Sequence, residues 1–207
     1  MKVFNYVLVA AATASTASAF MGPSAAKSVR PSSQAVPRNL FNKLFSSSAD
    51  TKYPIMAEEA VMSQKAHGTS EKPVMKNLRW GCDYDTADRI CNFNRHYAEY
   101  AGYWQTTEFL KNLDNEEKPI KFYDSVTGKL LFTAPIGRSM EDFVKESLSH
   151  GWPSFRDAEV NWDYVRCLRD GECVSTTGTH LGHNLPDASG NRYCINLVSV
   201  AGEPEED

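Results

Sequence analysis

The first acidic residue of this 207-residue chain is Asp50, and the 49 residues before it carry five bases and no acid. That asymmetry bounds what can fold. Residues 50–207 hold 17 bases and 26 acids, a net charge of −9 that the whole-chain value of −4 conceals. A body of about 158 residues suits one domain with its own core. Phosphate binding needs concentrated positive charge, so nucleic acid is excluded as the main partner. No apolar run approaches the roughly 18–20 residues that span a bilayer, which argues against membrane insertion once the leader is gone.

The basic stretch reads as an address. Lys2, the apolar run 3–12 and Ala17-Ser18-Ala19 form a secretory signal over 1–19 with a small-residue cleavage site. Residues 20–49, rich in Ser, Ala and Pro with four bases, are transit-like. A signal followed by Phe20 and such a stretch resembles the two-part presequence of algae whose plastid came from a secondary endosymbiosis, diatoms among them. It implies delivery to a plastid by the secretory route, with plain secretion as the alternative. The chain has no Asn-X-Ser/Thr sequon, which disfavours a glycosylated secreted product.

Within the body, 50–79 reads as linker and irregular lead-in and 80–117 as an aromatic-rich extension. Aromatic residues at roughly helical spacing predict one or two helices between Phe93 and Leu110, with the stripe packed in a core. Ile120–Asp124 and Lys129–Thr133 flank Thr127-Gly128 as a hairpin. Ser139 with Asp142 three residues on is a capping-box pattern opening a helix over Met140–Leu148. Asp170-Gly171 between alternating runs predicts a second hairpin. A two-residue turn there would pair Leu168 with Cys173 and put Cys167 and Cys173 on opposite faces. Arg192–Val200 reads as a final strand, and 202–207 as an acidic tail. The body is mainly antiparallel β with helices before and between.

Strand alternation puts Arg192, Cys194 and Asn196 on one face, and Tyr193, Ile195 and Leu197 on the other, apolar one. A guanidinium beside a thiol favours thiolate. His180 and His183 lie shortly before Cys194, and a cysteine with nearby histidine is a candidate nucleophilic pair. His150, His180, His183 and Cys194 could instead ligate a metal.

Three blocks, Gly-Trp-Pro-Ser-Phe at 151–155, His-Leu-Gly-His at 180–183 with Pro186-Asp187, and Arg-Tyr-Cys-Ile-Asn at 192–196, resemble in order and spacing the signature of the methionine-R-sulfoxide reductases, the MsrB family. The resemblance spans about 118–201. It implies a mainly β fold of two antiparallel sheets of the β-tent type, with a few short helices and an added helical N-terminal region. It implies Cys194 as nucleophile, His183 and His180 as proton donors to the sulfoxide oxygen, and Asn196 and Arg192 as orienting and tuning residues. Trp152 and Phe155 would serve the substrate pocket and Asp187 would be a positioning acid. Cys194 would become a sulfenic acid, restored by an external dithiol of the thioredoxin or glutaredoxin/glutathione type, with no bound cofactor.

The chain departs from the family in several places. Many members hold a structural zinc in two Cys-x-x-Cys pairs. Here the corresponding positions are Asp124 and Thr127, and Val174 and Thr177, so no structural zinc is expected. His150 occupies a common site of the resolving cysteine, which leaves Cys167, Cys173, Cys82 and Cys91 as candidates, or direct regeneration by a small thiol. Leu185 replaces a usual Phe and implies a wider pocket. The other reading of the resemblance is an MsrB-fold module that binds a partner without catalysis.

Overall fold

The computed structural model describes residues 53–113 and 118–205. The chain divides into two units, 1–47 and 48–207, and every described residue belongs to the second. The leader assigned to 1–49 lies outside the described residues.

Among the described residues, seven strands and four α-helices follow in order: α1 (Tyr84–Asp88), α2 (Tyr103–Thr106), α3 (Phe109–Leu113), β1 (Ile120–Tyr123), β2 (Leu130–Ala134), α4 (Met140–His150), β3 (Ser154–Phe155), β4 (Val165–Cys167), β5 (Glu172–Ser175), β6 (His180–Asn184) and β7 (Tyr193–Ile195). The architecture is mainly β, in two antiparallel sheets: β1-β2, and β3-β7-β6-β5-β4. Among the described residues no helix is long and apolar enough to cross a membrane.

The core sits between the sheets and α4. Phe155 lies at its centre, stacked on Phe132 with ring centroids 4.3 Å apart and edge-on to Phe122 at 5.0 Å. Phe143 of α4 closes the cluster. Burying each such ring contributes about 1.5–3 kcal/mol. Helix α4 starts where the capping box places it: the Ser139 hydroxyl accepts from the Asp142 N–H at 3.0 Å. It stops at Gly151, whose φ of +88° is the left-handed C-cap that glycine adopts without strain.

Three expectations are corrected. The helices expected between Phe93 and Leu110 are two, both short and both late in that stretch. A π turn over Arg89–Phe93 follows α1, residues 94–102 form an irregular strap, and only then come α2 and α3. The aromatic stripe splits accordingly: Trp104 and Phe109 are buried, whereas Phe93, Tyr97 and Tyr100 are exposed. The second hairpin has a three-residue loop. Leu168 N–H donates to Glu172 O, and Gly171 at φ +93° closes the turn, so Cys167 pairs with Cys173 and their sulfurs approach to 3.4 Å on one face. The final strand ends at Ile195, because the Leu197 and Val198 N–H groups donate to the Glu99 carboxylate and not to a neighbouring strand.

Candidate active site

A cavity of about 280 Å³ opens beside β6 and β7. Cys194, His180, His183, Trp152 and Asn196 all line it, joined by Gly182, Leu185 and, from the strap, His96, Tyr97 and Ala98. The sequence pointed away from the last three, since the aromatic spacing over 93–110 read as helix packed in a core.

Cys194 and His183 are direct cross-strand partners of β7 and β6. Such partners share a face with Cβ atoms about 4.5–5.5 Å apart. A regular strand would turn His180 and His183, three residues apart, to opposite faces. A β-bulge prevents this: Cys173 pairs with Gly182 and Val174 with His180, leaving Leu181 as the extra residue. Both rings then reach the cavity, with centroids 5.6 Å apart. The bulge needs glycine. A Cβ at Gly182 would sit 2.1 Å from the Cys194 carbonyl oxygen.

His180 is buried and its Nδ1 lies 2.7 Å from Glu172 Oε1. Arg95 of the strap donates to the same carboxylate through Nε and Nη2, the latter at 2.6 Å. Burial raises the proton affinity of Glu172, but the bonds to His180 and Arg95 outweigh it and hold the carboxyl below its usual range. This chain of contacts fixes the His180 ring. His183 makes no such bond, and burial, aided by His180, lowers its pKa, so its imidazole is neutral near pH 7.

The Cys194 thiol is half-buried, and burial raises its pKa above the ordinary value. Arg192 pulls in the expected direction, by its charge and a hydrogen bond, without overcoming burial. The resting group is therefore a thiol with a neutral imidazole opposite it. Asp187 lies outside the cavity lining. It is exposed, pairs with Arg156 at 2.8 Å, and lies 3.5 Å from the Arg192 Nε. Arg156 holds its carboxyl down at about 2. Asp187 thus braces Arg192 from the solvent side. Phe155, expected at the pocket, is instead a fully buried core residue.

None of the four other thiols shares the face of Cys194. Cys167 and Cys173 lie in the core with Tyr193 and Ile195 on the opposite side of the sheet. Cys91 is buried against Ser199, and Cys82 is also buried; burial pushes both thiols well above their ordinary pKa.

The possible metal ligands do not come together. Among the described residues, the one group of three ligand-type side chains close enough to share an ion is Glu146, His150 and Asp187. His150 is therefore separate from the His180, His183 and Cys194 set. Both carboxylates of that group are engaged by Arg156. The family zinc does not fit either. Asp124 and Thr177 do meet, at 3.3 Å, but the Asp124 carboxyl also accepts from Thr179 and from the Val126 N–H. Val174 packs with Met62 and Leu168. Those positions offer no thiolate and no imidazole, the donors a structural zinc site is built from.

No family model matches the chain. Curated relatives do. It is 41% identical over 68 residues to a protein named peptide methionine sulfoxide reductase MsrB from Methanosarcina mazei, covering 28% of this chain and 48% of that one. It is 36% identical over 69 residues to the protein of the same name from Leifsonia xyli, at 28% and 49% coverage. Against methionine-R-sulfoxide reductase B2, mitochondrial, from Danio rerio, it is 34% identical over 82 residues, at 30% and 44%. The chain thus spans about half the length of the curated relatives it matches. These similarities lie over the C-terminal part of the chain and support the MsrB family.

Proposed function

We propose that this protein reduces methionine-R-sulfoxide, free or in polypeptides, with Cys194 as nucleophile. The observation that carries this reading is the assembly of Cys194, His183, His180, Trp152 and Asn196 around one cavity. Trp152 supplies an apolar wall for the substrate methyl group, and its Nε1 donates to the Glu99 carbonyl at 3.0 Å, which fixes the ring.

The protonation states dictate the order of events. The neutral His183 ring takes the Cys194 proton as the sulfur attacks the sulfoxide sulfur, then delivers that proton to the sulfoxide oxygen. Attack forms a bond between the Cys194 sulfur and the substrate sulfur. The protonated oxygen then passes to Cys194 as that S–S bond and the substrate S–O bond break, so thiol plus sulfoxide becomes sulfenic acid plus thioether and no external proton is consumed. His180, held by Glu172, supports the ring pair. Because the other four thiols are buried away from Cys194, an external thiol attacks the sulfenic acid directly, releasing water and forming a mixed disulfide. A second thiol equivalent frees Cys194. A thioredoxin or glutathione-type donor fits this chemistry.

Incubated with dithiothreitol, the purified protein is expected to convert the R epimer of methionine sulfoxide to methionine and leave the S epimer intact. Equal turnover of both epimers, or of neither, would refute the assignment. We further propose that the fold is held without zinc. Treatment with a strong chelator should then leave the melting temperature and the turnover where they were. A fall of several degrees on chelation would show a structural metal.

A further inference from the structure

Glu99 belongs to the strap and is only 3% exposed. Two of its four polar contacts reach residues that line the cavity, and two hold the chain just beyond β7. The two carboxylate oxygens accept from the Leu197 N–H at 2.7 Å and the Val198 N–H at 3.1 Å, gripping the chain as it leaves β7. Its own N–H donates to Asn196 Oδ1 at 3.2 Å. Its carbonyl accepts from Trp152 Nε1. One residue thus touches the pocket wall, the pocket amide and the backbone three and four residues beyond the nucleophile. Burying a carboxylate is costly unless something is gained, and a leucine would fill the space more cheaply.

Resting on the reading of the cavity as a sulfoxide site, we propose that Glu99 is a positioning residue that sets the shape of the methyl pocket and couples Cys194 to pH through its own charge. Burial, opposed by the two N–H bonds, raises the Glu99 carboxyl to about 7. The groups that feel its charge are the Cys82, Cys91 and Cys194 thiols and the Tyr103 phenol. Cys194 is faced in addition by Arg192 and by His183. An ionised Glu99 makes thiolate formation at Cys194 harder, and a protonated one makes it easier.

The test is the rate of Cys194 alkylation by iodoacetamide between about pH 5 and 9, read by mass spectrometry, beside sulfoxide turnover at each pH. The wild-type rate should climb with pH but flatten near 7, where Glu99 ionises and the thiol becomes harder to deprotonate. Glu99→Gln should lose the flattening and, above pH 7, alkylate faster than wild type, because the charge that opposes ionisation of Cys194 is gone. Its turnover should nevertheless fall about tenfold or more, because an amide can accept only one of the Leu197 and Val198 N–H bonds and the chain beyond β7 is no longer gripped, although the backbone contacts to Asn196 and Trp152 remain. Glu99→Asp keeps the charge but falls short of Leu197 and Val198, so it should retain the flattening and lose turnover. A wild-type profile with no flattening overturns the proposal even where the variants fail to fold. A folded Glu99→Gln with the wild-type profile and turnover also overturns it. A flattened profile in a wild-type protein that reduces no sulfoxide would overturn the functional reading alone, leaving the Glu99–Cys194 coupling intact.

Discussion

A Cys194→Ser protein is expected to fold normally and to reduce methionine-R-sulfoxide at least about 10³-fold more slowly than wild type. The substitution keeps the side chain's size at a half-buried position, so neither the β6–β7 pairing nor the pocket should change. What it removes is the polarisable sulfur that can accept oxygen. The measurement is turnover with dithiothreitol, with circular dichroism confirming the fold. No other thiol can substitute, because the remaining four are buried. Activity within tenfold of wild type would place the nucleophile elsewhere and end the proposed mechanism.

Gly182→Ala is expected to cost on the order of 3–5 kcal/mol, since the new methyl group meets backbone and not a side chain that could swing away. The carbonyl in its path belongs to Cys194 itself. Relief requires β6 and β7 to part at the very pair that sets His183 against Cys194. The melting temperature should fall by roughly 10 °C, and turnover should drop well beyond what the lost folded fraction explains. A variant that melts and turns over like wild type would mean that the strands can slide apart at no cost.

Much of this site was readable from residue types. Alternation along 192–196 correctly separated Cys194 from the buried Tyr193 and Ile195, because that stretch is a regular strand with one apolar face. Ser139 and Asp142 marked the start of α4, since a cap is a local hydrogen bond between near neighbours. What was not readable depended on one residue more or less. Asp170-Gly171 announced a turn but not its length, and a three-residue loop reversed the facing of Cys167 and Cys173. The bulge at Leu181–Gly182 likewise brings both histidines to one face against the period-two rule. Phe155 was assigned to the pocket by motif, although motifs do not distinguish a wall from what stands behind it. The strap was the largest omission. Arg95 and Glu99 act through contacts with residues 53 to 99 positions away, and nothing local in the sequence encodes such contacts.

The sheet's two margins are guarded differently, and this bears on how the protein behaves at high concentration. At one margin β3 has only two residues, too short to template another chain. At the other, β4 is covered by the chain's own lead-in: Cys167 N–H donates to Ile55 O and Ala57 N–H donates to Cys167 O, both at 2.9 Å. That short parallel bridge acts as an in-built blocker of strand addition. A preparation trimmed past residue 57 would bare the β4 margin, and self-association would be the first sign of its loss.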